Sequence, residues 1–116
     1  GAVQSVHFRE GALVKQGDPR GALSALQYSD ALDTPEFKKF RDAYQAKYNE
    51  PPMAPSEHGY VGMKMVLKAV EASGGKDRAK LIDALRKTDM PDAPRGPVKL
   101  DDYGNPIQNI YINEVR

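Results

Sequence analysis

Phe37, Phe40, Tyr44 and Tyr48 recur at steps of three and four, and that spacing limits the fold of this chain more than any other feature. Residues so spaced line one face of an α-helix, which puts Lys38, Lys39, Arg41 and Asp42 elsewhere on its circumference. Thr34 offers a side-chain oxygen to a free backbone amide, and Pro35 needs no amide at the first helical position. The helix therefore begins there, and it ends near Asn49. An aromatic stripe of this kind can serve as a ligand or partner surface, but packing is its commoner use. The four rings are read as core.

The same logic organises the rest of the chain. Pro51, Pro52 and Pro55 hold an extended connection, after which Ser56 caps a second helix whose Tyr60, Met63, Leu67 and Val70 form the inward stripe. Gly74 and Gly75 stop it. Gly59 and Gly62, inside that helix, lack the strand-turn-helix setting and the lysine of a phosphate loop, and read as places of close helix packing. Asp77 caps a third helix running through Lys87, with Leu81, Ile82 and Leu85 inward, before a loop containing Pro91, Pro94, Gly96 and Pro97.

Upstream of the first helix, the run GALSALQYSD is short and nearly apolar on both faces, the pattern of a buried strand. Residues 98–100 and 107–115 read as two strands of a closing hairpin around the turn at 101–106, with Ile110 and Ile112 on one face and Tyr111 and Asn113 on the other. Residues 3–8 suit a short strand, residues 11–15 fit either state, and Gln16-Gly17-Asp18-Pro19 is turn chemistry. Strand, three helices and hairpin, without an internal repeat, make one passage of an α/β protein.

Composition narrows the function. The 116 residues suit one domain with a modest core, given 40% hydrophobic content. Seventeen basic against sixteen acidic residues leave +1 with no long run of one sign, so no surface is suited to tracking phosphates and nucleic acid is not an expected partner. The absence of cysteine removes disulfides, thiolate catalysis and cysteine metal sites together. No apolar stretch approaches the roughly 20 residues of a membrane span. The start, GAVQSVHFRE, lacks a signal-peptide layout, and its Gly-Ala opening reads as that of a trimmed or internal piece of a longer precursor.

Candidate chemistry is sparse. His58 beside Ser56 and Glu57 has the residue types of a nucleophile, an acid and a base, but neighbours in a helix point to different sides, so a capping serine and a surface histidine are the better reading. His7 has no partner nearby in sequence. Asp101, Asp102 and Asn105 offer oxygens to a hard cation, yet lack the alternating acids and distal glutamate of a calcium loop, and turns favour these residues anyway. No catalytic residue, metal or cofactor is called for. The main alternative these features leave is a small non-catalytic protein-interaction module; an enzyme subdomain is disfavoured, because no nucleophile, metal cluster or phosphate loop is found.

A more specific expectation comes from several segments taken in order. TPEFKKFRDAYQAKYNEPP, then SEHGYVGMKMVLKAVEASGGKDRAKLIDALRKTD, then RGPVKLDDYGNPIQNIYINEV resemble the end of periplasmic solute-binding proteins of the Leu/Ile/Val-binding type. The likeness includes a strand ending near Tyr28, the Phe40-x-x-x-Tyr44 helix core, and Gly59-Tyr60 opening a long helix. It continues with Gly96-Pro97 before a short strand, Leu100-Asp101, and Gly104 before the last strand. Val61-Gly62 stands where the family often has Asp-Ala.

The resemblance implies that residues 1–116 are a single carboxy-terminal fragment of an extracellular ligand-binding receptor, an α/β part of a two-lobed periplasmic-binding-protein type I fold. It implies a non-enzymatic role in an ABC-type uptake system, periplasmic or extracellular, holding an amino acid or a related small carboxylate and presenting it to a membrane permease. Tyr28 at the strand end, and His58 with Tyr60 at a helix start, are the residues of this segment expected to approach the solute. A fragment of this kind is also expected to expose apolar surface and to self-associate.

Overall fold

The computed structural model describes residues 20–115. In chain order they form β1 (Leu23–Leu26), α1 (Pro35–Tyr48), α2 (Ala54–Ser73), α3 (Arg78–Arg86), β2 (Asp89–Met90), β3 (Val98–Leu100), β4 (Pro106–Ile107) and β5 (Tyr111–Glu114). The strand and turn expected before Arg20, and His7, lie outside the described residues.

Local chemistry sets the helix ends. The Thr34 hydroxyl accepts from the Phe37 amide at 3.2 Å, Pro35 follows, and Asn49 closes α1 in the left-handed conformation with φ 58°. Asp77 Oδ1 accepts from the amides of Ala79 and Lys80 at 2.9 and 3.2 Å, satisfying two donors that the first turn of α3 cannot pair internally. Asp77→Ala is expected to cost this chain about 1 kcal/mol. Urea denaturation followed by far-ultraviolet circular dichroism would detect that loss.

The second helix starts earlier than its serine suggested. Met53 is the residue preceding it, Pro55 occupies the first turn where amides are free anyway, and Ser56 reaches back to accept from the Met53 amide at 3.4 Å. Its inward face also differs from the expected one. Glu57, Val61, Met65 and Ala69 are buried, whereas Tyr60, Met63, Leu67 and Val70 are exposed. Both sets recur at helical spacing, so periodicity alone cannot choose between them. The choice falls to what the neighbouring elements cover.

That cover is the segment after α3. Val61 and Met65 pack with Met90, Ala93 and Val98, and Leu85 of α3 and Leu100 of β3 close around them. Leu81 and Leu85 of α3 are half-buried, but Ile82, expected inward, is exposed. A side chain at Gly59 or Gly62 would meet nothing within 4 Å, so the helix packing expected there is absent among the described residues. Of the aromatic stripe on α1, Phe37 and Phe40 are buried, Tyr44 is partly covered and Tyr48 is exposed.

Two small antiparallel sheets flank the helices. β2 pairs with β3 through Asp89↔Lys99 and Met90↔Val98, and β3 pairs with β4 through Lys99↔Ile107 and Leu100↔Pro106. The hairpin is thus confined to β3 and β4, around a turn in which the Asp101 carboxylate accepts from the amides of Tyr103 and Asn105 at 2.9 and 2.8 Å. Those donors, Asn105's amide first, hold the Asp101 carboxyl below the usual carboxylate range.

β5 leaves the hairpin and pairs with β1, from Leu23↔Glu114 to Leu26↔Tyr111. All four residues of β1 are exposed, contrary to the buried strand its composition suggested. A two-stranded ribbon gives β1 one partner strand among the described residues, and Leu23 and Leu26 stay 43 and 47% exposed.

Candidate functional site

Three consecutive residues near the start of α2, Ser56, Glu57 and His58, point three ways, as their 100° spacing requires. Ser56 Oγ meets Tyr44 Oη of α1 at 3.2 Å, Glu57 turns inward to full burial, and His58 faces the end of β1. No nucleophile, base and acid line up here.

Glu57 is the most constrained of them. Its Oε2 accepts from Arg95 Nη1 at 2.9 Å, and Arg95, from the loop between β2 and β3, is itself buried. A carboxylate at zero exposure is tolerable only beside an opposite charge, and the helix amino-terminus adds some positive potential. The loop is held in turn from β5. Tyr111 Oη donates to the Arg95 carbonyl oxygen, and Gly96 has φ +100°. A Cβ on Gly96 would lie 2.8 Å from Asn109 Nδ2 and 2.9 Å from Tyr111 Oη, so only glycine fits that approach.

The end of β1 completes the cluster. Gln27 Nε2 lies 3.2 Å from His58 Nε2, and the same ring nitrogen is 3.9 Å from Glu57 Oε2. Tyr28 is buried, its ring set edge-on to Phe37 with centroids 5.8 Å apart, and its hydroxyl donates to the Pro52 carbonyl at 3.0 Å. It ties the strand end to the loop between α1 and α2.

Burial pushes the Tyr28 hydroxyl from 10.0 up to about 12, with the Asp30 carboxylate adding to the rise. The folded state holds this proton more tightly than the unfolded chain does. Its contribution to stability is complete below pH 10 and is lost as pH rises from 10 through about 12. The urea midpoint is therefore expected to fall across that interval by more in the parent chain than in Tyr28→Phe, which has no proton to lose there.

Tyr60 lies apart from this cluster. Its ring stacks at 4.9 Å on Phe40, Lys64 Nζ sits 5.3 Å from its centroid, and it lines a groove of about 510 Å³ between α1 and α2. Tyr44, Tyr48, Met63 and Leu67 share that groove. Of the three residues expected near a solute, Tyr28 and His58 therefore meet through Gln27, and Tyr60 occupies other surroundings.

Arg95 was not singled out by sequence reasoning, nor was Gln27. A signal for Arg95 exists: Glu57 falls on the row 57, 61, 65, 69, and an acid on an otherwise apolar row demands a cationic partner.

The periplasmic binding protein family model matches residues 7–116 of this chain. The chain belongs to the periplasmic binding protein family. A Leu/Ile/Val-binding protein homolog from Brucella abortus is 39% identical over 99 residues, covering 82% of this chain and 25% of the relative. A solute-binding protein of an ABC transporter from R. palustris, solved in complex with benzoate, superposes with a TM-score of 0.76 at 31% identity, over 84% of this chain and 28% of that one. A leucine-binding protein from Thermotoga maritima gives 0.72 at 31% identity with the same coverage.

These relatives are solute-binding components of transporters and not enzymes, and their fold is the type I periplasmic-binding-protein α/β fold. This family member spans about a quarter of the length of the curated relatives it matches. Among its described residues, no helix is long and apolar enough to cross a membrane.

Proposed function

We propose that this chain serves as the carboxy-terminal part of a receptor, periplasmic or extracellular, that binds amino acids or related small carboxylates for an ABC-type uptake system. The parent protein holds the solute between two lobes and presents it to a membrane permease. The carrying observation is the family match over residues 7–116, on a chain whose fold superposes on solute-binding proteins. The benzoate bound by one neighbour and the leucine named for another share a carboxylate beside an apolar group, and that chemistry defines the proposed solute class.

Within this chain, the junction of β1 with the first turn of α2 is the proposed approach to the solute. His58 presents a half-exposed ring there, Tyr28 fixes the strand end beneath it, and the helix amino-terminus favours an anionic group. Tyr60, in the separate groove between α1 and α2, is not part of that approach.

Thermal-shift measurements on the parent receptor against amino acids and aromatic carboxylates test this reading. A ligand at about 100 times its dissociation constant adds about 2.7 kcal/mol to native-state stability, enough for a clear rise in melting temperature. No shift across a broad panel, with folding confirmed, would overturn it in favour of a non-catalytic interaction module.

The isolated chain is further expected to self-associate through the β1–β5 ribbon, where Leu23, Leu26 and Ile112 are exposed on a two-stranded sheet. Light scattering over a concentration series should show mass rising above 12.8 kDa. A constant monomer mass at high concentration would count against the exchange of strands between copies.

A further inference from the structure

Glu57 and Arg95 form a buried pair whose charges cancel, with Oε2 of the one accepting from Nη1 of the other at 2.9 Å. The pair is unevenly bonded. Glu57 Oε1 has no hydrogen-bond donor among the described residues, although an ionised carboxylate can accept at about four lone-pair positions. His58 stands beside it as a third titratable group. Its Nε2 lies 3.9 Å from the Glu57 oxygen that Arg95 engages, and 34% of its side chain is open to solvent. One edge of the ring therefore faces a buried anion and another faces the proposed approach to the solute.

We propose that His58 couples solute binding to a proton: its ring takes up a proton from solvent as the carboxylate of the solute arrives at the junction of β1 and α2. The proton adds to the lone pair of a neutral ring nitrogen, and no other bond is made or broken. This inference rests on the receptor reading above and names a regulation of that same site.

Counting the charges shows why the two enter together. Without solute, a proton on His58 adds a second cation to the balanced pair of Glu57 and Arg95. With a carboxylate at the open edge of the ring, each sign is present twice, and the imidazolium lies between two anions. Attraction in such a partly buried place is about four times what it is in water. The neighbouring groups act in the same sense. Arg95 and the amino-terminus of α2 oppose a cation arriving alone and favour an anion. One turn either side of His58 on α2, Ala54, Pro55, Val61 and Gly62 carry no charge. The end of β1 brings uncharged Gln27 against the ring, then Tyr28, whose hydroxyl is tied to the Pro52 carbonyl, and the exposed acid Asp30.

A solute that binds with proton uptake binds less tightly as pH rises through the range where imidazole ordinarily titrates, around pH 6.5. Affinity of the receptor for the carboxylate is expected to be on the order of 10-fold weaker at pH 8 than at pH 6. Titration calorimetry of the full receptor with leucine and with benzoate, at pH 7 in phosphate and in Tris, counts the protons, because the two buffers differ in ionisation enthalpy. Roughly half a proton taken up per solute is expected. His58→Gln is expected to bind more weakly, to take up no proton and to lose the change in affinity between pH 6 and 8. His58→Asn is the second variant and should behave alike.

Binding without proton exchange, or with an uptake that survives in either variant, would overturn the inference and leave the receptor reading standing. Release of a proton on binding would overturn it too, and would put a cationic group of the solute, such as an ammonium, against the ring. The sign and size of the exchange in the parent receptor decide between these outcomes without any variant. Failure of both leucine and benzoate to bind, together with a flat thermal-shift panel, would overturn the receptor reading and this inference with it.

Discussion

Arg95→Met is expected to destabilise the chain by about 3–5 kcal/mol, because it removes the cation that makes a fully buried Glu57 tolerable. The hydrogen bond that is lost is the smaller part of this. The larger part is a carboxylate left in an apolar site with no counter-charge, next to the core around Val61 and Met90. The double variant Glu57→Leu/Arg95→Met is expected to lie close to the parent chain, since it withdraws both charges from the interior together. Urea denaturation of the two single variants and the double variant measures the coupling. A single variant costing less than about 1 kcal/mol would mean that Glu57 reaches solvent in solution. The Tyr111 bond to the Arg95 carbonyl involves backbone and is available in every variant, so the loop keeps its tether to β5.

What was legible in the sequence was local. Thr34, Asp77 and Gly74 mark helix ends because capping depends on one side chain and the few amides after it, or on one residue's tolerance of positive φ. The Asp101 turn was legible for the same reason: its donors lie two and four residues on. Ser56 shows how narrow the margin is. Its reach back to Met53 serves the same helix start, but from inside the first turn rather than ahead of it.

Choices that depend on distant partners were not legible. α2 has two apolar rows, and the row that is buried is settled by residues 90–98, more than twenty positions away. β1 reads as a buried strand from its composition, yet burial requires flanking layers that the described residues do not supply. The candidate site divides in the same way. Tyr28 and His58 are marked by their places at a strand end and a helix start, while the contact with Gln27 spans 31 residues and that between Glu57 and Arg95 spans 38. Family resemblance carried the functional expectation across that gap, since the spacing of these residues says nothing by itself about a solute.

Phe37→Ala carries the other large expected effect, about 3–5 kcal/mol. Phe37 is 1% exposed, and its ring meets Tyr28 edge-on, which places it where α1 joins the end of β1. Beyond that contact, α1 is tied to its surroundings by the Phe40–Tyr60 stack and the bond between Ser56 and Tyr44. Truncating Phe37 opens a cavity at the most buried of these attachments and leaves the Tyr28 ring without its partner. The remaining contacts lie beside the open groove, so α1 is expected to detach locally before the α2–α3 core unfolds. Hydrogen exchange of residues 35–48 should then accelerate well beyond that of residues 61–69. Tyr48→Ala, at 53% exposure in the same stripe, is the control and should change stability by no more than about 0.5 kcal/mol. Equal acceleration of both segments in Phe37→Ala would instead mean that α1 and the core unfold as one cooperative unit, and that the groove between α1 and α2 is closed more firmly than its open apolar walls indicate.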